Sequence, residues 1–332
     1  MKRRDAVLVP LAIGASMHAW TQVPGRIYRV GYLGFTATNS PSDLLVWNGF
    51  VQRLRELGYS QGGNLVIEDR YAEGRMERYA EFAAEMVKIR ADIVFTSNPI
   101  AARAVMAVSR TMPIVTVFVP DPVRAGLAAS YAHPGGQLTG IGNFGQEVVL
   151  KQLELLKAAL PTVTRVAFAG CPRCQIAYGL SAVEVATILA ERTAAARSLG
   201  MTFLQFDVDA ASDFDTASAA MLRQRVEALV IGSSPVNAAL RDKWNAFAEQ
   251  NRLPTMVEGT GTGKMFSYGA SGAGMYRRAA EYIAKILGGA APGDLPIEQP
   301  TTFQFVINLK MAKAMGITIP QSVLLRADEV IQ

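Results

Sequence analysis

The most constraining feature of this chain is that its pattern is written twice. RVGYLGF at 29–35 returns as RVAFAGC at 165–171, and LRELGYSQGGNLVIED (54–69) returns as ARSLGMTFLQFDVD (196–209). IRADIVFTSNPIAARAV (89–105) is answered by QRVEALVIGSSPVNAAL (224–240), and TMPIVTVF (111–118) by RLPTMVEG (252–259). Four correspondences in one order mark a duplicated structural unit. Each unit alternates short β-rich apolar runs with amphipathic helical stretches, a pattern that calls for parallel strands with helices on both faces. The expected fold class is therefore α/β: two similar doubly wound parallel-sheet lobes joined by more than one crossing strand.

In the first half the strands are expected at 27–35, 64–70, 92–96, 114–118 and 138–141. The helix between Asp43 and Leu57 puts Trp47, Phe50, Val51, Leu54 and Leu57 on one face, and Gly58 stops it. A second helix around 76–89 repeats the logic with Tyr79, Phe82, Ala83 and Met86. The 332 residues suffice for two cores of about 100–150 residues each. Beyond the first 20 residues the apolar runs stop at about ten, too short to span a bilayer. The charged start KRRD, the apolar stretch from Ala6 to Ala15 and small residues near Ala19 read as an export signal rather than an ordinary frayed N-terminus, so residues 1–25 are expected to be removed. Arg3-Arg4 fits twin-arginine export, with Asp5 and Pro10 as departures. The net charge of +5 falls to about +3 without Lys2, Arg3, Arg4 and Asp5, and it is spread along the chain. That is not the footprint of a nucleic-acid binder.

In open parallel sheets ligands bind beyond the carboxyl ends of the strands. Several strands here are expected to end in a polar residue followed by proline and a helix: Ser40-Pro41, Asn98-Pro99 and Ser234-Pro235. Each is a good helix start, and Ser40 and Asp43 have capping-box spacing. Such starts carry backbone N–H groups and partial positive charge suited to an anion, or they serve only as caps. The coincidence across both halves selects Ser97, Asn98, Ser233 and Ser234 as anion-binding candidates. For a ligand ammonium the candidates are Asp121, Glu147 and Glu258, whose plainer role is solvated or structural. Phe35, Thr36, Phe118, Phe144 and Tyr268 occupy comparable places, where the aromatic ones would stack on a ligand ring or simply belong to the core.

Cys171-Pro-Arg-Cys174 follows a strand and precedes a helix, the setting of a thiol redox pair, so a thioredoxin-like oxidoreductase is a rival reading. The same loop fills the slot of GFTATNSP in the first half, which makes it a cleft loop, and in an oxidising compartment a disulfide would stiffen it. Besides the two cysteines, a zinc site would have only His18 and His133 to draw on, so no metal is expected. GTGTGK at 259–264 lacks phosphate-loop spacing and is expected to be a glycine-rich hinge loop. No serine lies in a G-x-S-x-G frame. With one histidine in the mature chain the usual acid–base kit is nearly absent, so neither an enzyme nor a cofactor is expected.

From about Val30 onward the chain resembles the ABC-transporter substrate-binding proteins of the type I periplasmic-binding fold. The resemblance rests on YAEG (71–74), DPVRAGLAASYAHPGGQLTG (121–140), SYGAS (267–271) and QPTTFQFVINLKMAKAMGITIPQSVLLRADEVI (299–331). It implies a periplasmic, monomeric, hinge-bending protein that hands a small-molecule ligand to a membrane permease. The known ligands of that family include tryptophan, tyrosine and phenylalanine, which makes an amino acid or another small carboxylate, aromatic ones included, the expected cargo. Chain crossings are then expected near Gly142-Asn143-Phe144, Phe266-Ser267-Tyr268 and Thr302-Phe303, with 26–142 plus 268–302 in lobe one and 143–267 plus 303–332 in lobe two. The family's Asn/Pro-rich loop is CPRC here, and the stretch from Glu258 to Phe266 is shorter and richer in glycine. Both fall on the expected cleft. A two-lobed sensory module is the remaining alternative.

Overall fold

Strands buried on both faces build most of the first sheet. Its strands are β1 (Tyr28–Gly34), β2 (Leu65–Tyr71), β3 (Ile93–Thr96), β4 (Ile114–Val119) and β5 (Leu138–Gly142), all parallel, in the order β2-β1-β3-β4-β5. Between them run the helices α1 (Pro41–Glu56), α2 (Arg78–Lys88) and α3 (Pro99–Val108). This is a computed structural model, and it describes residues 25–35, 41–142, 145–258 and 264–332. The expected export signal, the Ser40 cap, Thr36, Phe144 and residues 259–263 lie outside the described residues.

The chain then forms α4 (Gly145–Ala159), β6 (Arg165–Gly170), α5 (Pro172–Ala177), α6 (Ala182–Ser198), β7 (Thr202–Asp207), α7 (Phe214–Arg223), β8 (Ala228–Ile231), α8 (Pro235–Ala239), α9 (Arg241–Gln250), β9 (Thr255–Val257) and β10 (Phe266–Ala270). It ends in α10 (Gly272–Leu287), β11 (Phe303–Asn308), α11 (Leu309–Ala314), α12 (Gln321–Leu324) and β12 (Glu329–Ile331). The second sheet runs β12-β11-β10-β9-β8-β6-β7. Its segment β7-β6-β8-β9-β10 is parallel throughout and repeats the strand order of the first sheet, so the duplication seen in the sequence is a duplication of topology. β11 then pairs antiparallel with β10, and β12 parallel with β11, which makes the second sheet larger than the first.

Each sheet is covered on both faces. Tyr28, Val30, Tyr32, Ile93, Phe95, Val115 and Val117 pack under α1 and α10, while Leu33, Val94, Ile114 and Leu138 pack under α2 and α3. In the second lobe Val166, Phe168, Ala228 and Val230 lie on the side of α4 and α6, and Ala167, Ala169 and Leu229 on the side of α7, α8 and α9. The chain passes between the lobes after Gly142, after Ala270 and before Phe303. The division expected at 268 falls inside β10, which stays in the second sheet to Ala270.

Candidate functional site

The parallel strands of the two sheets aim their carboxyl ends at one cavity of about 600 Å³. The first-lobe wall is aromatic. Tyr32 of β1 has its ring 4.7 Å from Trp47 of α1, and its hydroxyl lies 2.9 Å from that of Tyr276 on α10. Phe118 completes this wall through a break in regularity: the pairing of β4 with β5 shifts register between Thr116 and Val119, and Phe118 takes φ 59°. A left-handed conformation costs a bulky residue about 1–3 kcal/mol and persists only where its surroundings enforce it. Here it turns the ring toward Tyr276, 6.3 Å away, at the cavity wall.

The second-lobe wall is charged. Arg192 of α6 is 5% exposed, and its guanidinium lies 4.6 Å from the centre of the Phe168 ring. Phe168 in turn stacks on Phe203 at 5.6 Å. Gly170 at the end of β6 and Gly232 just beyond β8 leave the ring its space, since a Cβ on Gly232 would come within 2.7 Å of it and one on Gly170 within 3.1 Å. Burial lowers the Arg192 pKa to about 10, against the pull of Glu191 and Glu258. Glu258, just beyond β9, is pushed up to about 7 by burial, with the positive charge of Arg192 working the other way. Both effects are desolvation of the charged form, partly offset by mutual attraction. Burial also holds the Tyr178 phenol well above its usual range.

Cys171 and Cys174 lie in the same wall, joined by a disulfide, and the Cys171 sulfur also accepts the Cys174 backbone N–H that opens α5. At the rim the lobes touch. The Arg124 guanidinium pairs with Glu184 of α6 at 2.7 Å, and a Cβ on Gly179 would sit 3.0 Å from the Ala125 Cα. Among the described residues no group of three or more His, Cys, Asp or Glu side chains could hold a metal ion. No helix among them is long and apolar enough to cross a membrane.

Of the residues selected from sequence, Phe35, Ser97, Asp121, Ser233 and Glu258 line the cavity, as do the weighed Phe118 and Glu147. Asn98, Ser234 and Tyr268 do not. The Asn98 side chain caps α3 by accepting from the Ala101 N–H at 2.7 Å, and its amide donates to the Tyr79 hydroxyl at 3.0 Å. Ser234 accepts from the Asn237 N–H at 3.1 Å. These two side chains satisfy orphan helix donors, which is the bland use of such residues. Tyr268 stacks on Phe303 at 5.8 Å and packs against the second-lobe core. Sequence reasoning missed Tyr32, Trp47, Phe168, Tyr178, Arg192 and Tyr276. Tyr32 and Phe168 carried a usable signal, being corresponding residues in the first repeated segment; Arg192, within ERTAAARS, carried none.

A family model described as ABC transporter substrate binding protein matches residues 36–331. The chain is 22% identical over 272 residues to a protein of Clostridioides difficile (strain R20291) named tyrosine-binding protein, covering 81% of this chain and 76% of that one. Among solved structures, a Streptococcus pneumonia ABC domain in complex with L-Trp aligns with a TM-score of 0.78 at 24% identity, over 92% of this chain and 100% of that one. A conserved domain protein of Vibrio cholerae gives the same TM-score and coverage at 23% identity.

Proposed function

Since the chain belongs to the ABC transporter substrate-binding protein family, we propose that it is the capture subunit of an ABC-type uptake system, exported to the periplasm and working as a monomer with a membrane permease. Its ligand is an amino acid or another small carboxylate, aromatic ones included, taken up between the lobes. The carrying observation is the cavity itself: about 600 Å³, walled by Tyr32, Trp47, Phe118 and Tyr276 with Asp121 and Arg124 on the first lobe, and by Arg192, Arg241 and Glu258 beside Phe168 and Tyr178 on the second. That volume lies within the range of small-molecule sites, and the mixture of apolar surface with a few placed charges suits a ligand having a ring and an ionised group. The L-Trp and tyrosine named for the two relatives fit the same description. Closure follows from linkage, because only a closed form contacts the ligand from both lobes and binding therefore favours it.

A thermal-shift screen of the mature protein tests this. L-Tryptophan, L-tyrosine, L-phenylalanine or a simple aromatic acid is expected to raise the melting temperature, as ligand bound only by the native state must. Stabilisation by sugars or nucleosides, with none from the carboxylates, would sink the ligand class.

A further inference from the structure

The cavity holds one group whose chemistry is unfinished. The Nε of Arg192 is buried and has no hydrogen-bond partner among the described residues. A guanidinium is always charged and carries five donors in a fork matched to a carboxylate. Burying it with a donor unmade is costly unless an anion completes it. Here the fork is fixed by its surroundings: Phe168 lies beneath it, and Gly170 and Gly232 make room for that ring. Across the cavity, Tyr32, Trp47, Phe118 and Tyr276 offer rings. The Asn98 and Ser234 side chains at the facing helix starts are already taken up by capping.

We propose that Arg192 is the carboxylate anchor of the cavity, so that the ligand lies with its acid group on the second lobe and its ring against the aromatic wall of the first. The inference rests on the carboxylate reading given above and adds a polarity to it: neutral analogues of the same shape are rejected, because they leave a buried cation unpaired. Ser97 is the competing anchor, since it is buried, lines the cavity and belongs to the first lobe.

The test is calorimetric titration of wild type, Arg192→Gln, Arg192→Lys and Ser97→Ala with L-tryptophan, L-tyrosine and indole-3-acetate, each beside its amide. Wild type is expected to prefer acid over amide. Arg192→Gln should lose about 10- to 100-fold in acid affinity, the value of a charged hydrogen-bond partner. Arg192→Lys should bind the acids more weakly than wild type while still preferring them to the amides, because a lysine keeps the charge and loses the fork. Unliganded Arg192→Met should melt at or above the wild-type temperature, since it removes a buried charge that Glu191 and Glu258 offset only in part. Unchanged acid affinity in Arg192→Gln, or a loss confined to Ser97→Ala, overturns the anchor and leaves the carboxylate ligand standing. A melting temperature several degrees lower in Arg192→Met, with the acid preference intact in Arg192→Lys and equal to wild type, also overturns it. No binding of any acid by wild type overturns the anchor and the ligand class together.

Discussion

The two lobes are one design filled in two ways. The Leu-Gly ends of α1 and α6 align Gly58 with Gly200, and eight residues before each stands Phe50 in one lobe and Arg192 in the other. Phe50 is fully buried, stacked on Phe95 at 4.9 Å and edge-on to Tyr276. Arg192 is nearly as buried, over Phe168, whose register partner on β8 is Val230 where Tyr32 of the first lobe has Phe95. The first lobe also receives α10, whose Tyr276 closes the aromatic cluster. The lesson is that the shared strand order sets where a ligand can sit, while the corresponding helix position packs a ring in one lobe and brings a cation to the cavity in the other.

The sharpest way to break the comparison is to exchange the two positions. Phe50→Arg puts a charge into a packed aromatic cluster, and about 4 kcal/mol or more of stability should be lost. Arg192→Phe should be tolerated far better, since removing a buried charge for an apolar group of similar bulk is commonly neutral or favourable. Chemical denaturation of both variants measures the asymmetry; equal losses would mean that the lobes share one packing rule at this position.

A smaller effect probes how the charged wall is supported. Gly232→Ala would set a Cβ 2.7 Å from the tip of the Phe168 ring and 3.0 Å from the Ala169 carbonyl oxygen. The ring must shift, and with it the guanidinium above; overpacking of this kind costs about 1–3 kcal/mol. Ligand affinity should fall along with the denaturation midpoint. In the first lobe Gly62→Ala serves as the contrast, for no heavy atom lies within 4 Å of its added Cβ. Its φ of +80° still disfavours alanine, so it should lose stability without losing affinity.

The repeat made the architecture legible, because period-2 and helical patterns recur in order and each half must bury its own sheet. Caps were legible too: Asn98 and Ser234 stand where polar-Pro dipeptides place them, although their side chains are consumed by capping. The return of α10 to the first lobe follows from the family resemblance and is absent from any local pattern, as is the antiparallel addition of β11 to a sheet that otherwise repeats the first. Phe118 was visible only as an aromatic at a strand end; the bulge that aims it depends on pairing with β5. Arg192 was invisible because an arginine in an alanine-rich helix has the composition of a solvated face, and only the tertiary position of Phe168 shows that it is buried.

The mildest effect should come from pH and Glu258. Burial raises this carboxyl to about 7, so below that pH the folded protein holds a proton that the unfolded chain releases nearer its ordinary value. The stability so gained is present at low pH and lost as pH rises through about 7. The melting temperature of the unliganded protein should decline between about pH 5 and 8, and Glu258→Gln should flatten that decline. The charged and titratable groups sharing the cavity wall with Glu258 are Arg192 from α6, Arg241 from α9, Lys264 before β10, Tyr178 after α5 and Glu147 from α4, with Tyr32, Asp121, Arg124, Tyr131 and Tyr276 from the facing lobe. Glu184, Glu227, Glu281 and Glu298 are held below their ordinary value by hydrogen bonds, so their contribution is lost only in acid, in a separate window. The same titration separates ligand classes. A simple carboxylate on Arg192 is repelled by ionised Glu258, so its affinity should fall as pH rises from 6 to 8. An amino acid whose ammonium meets Glu258 should bind more tightly over the same range, and a flat profile for both would remove Glu258 from the site.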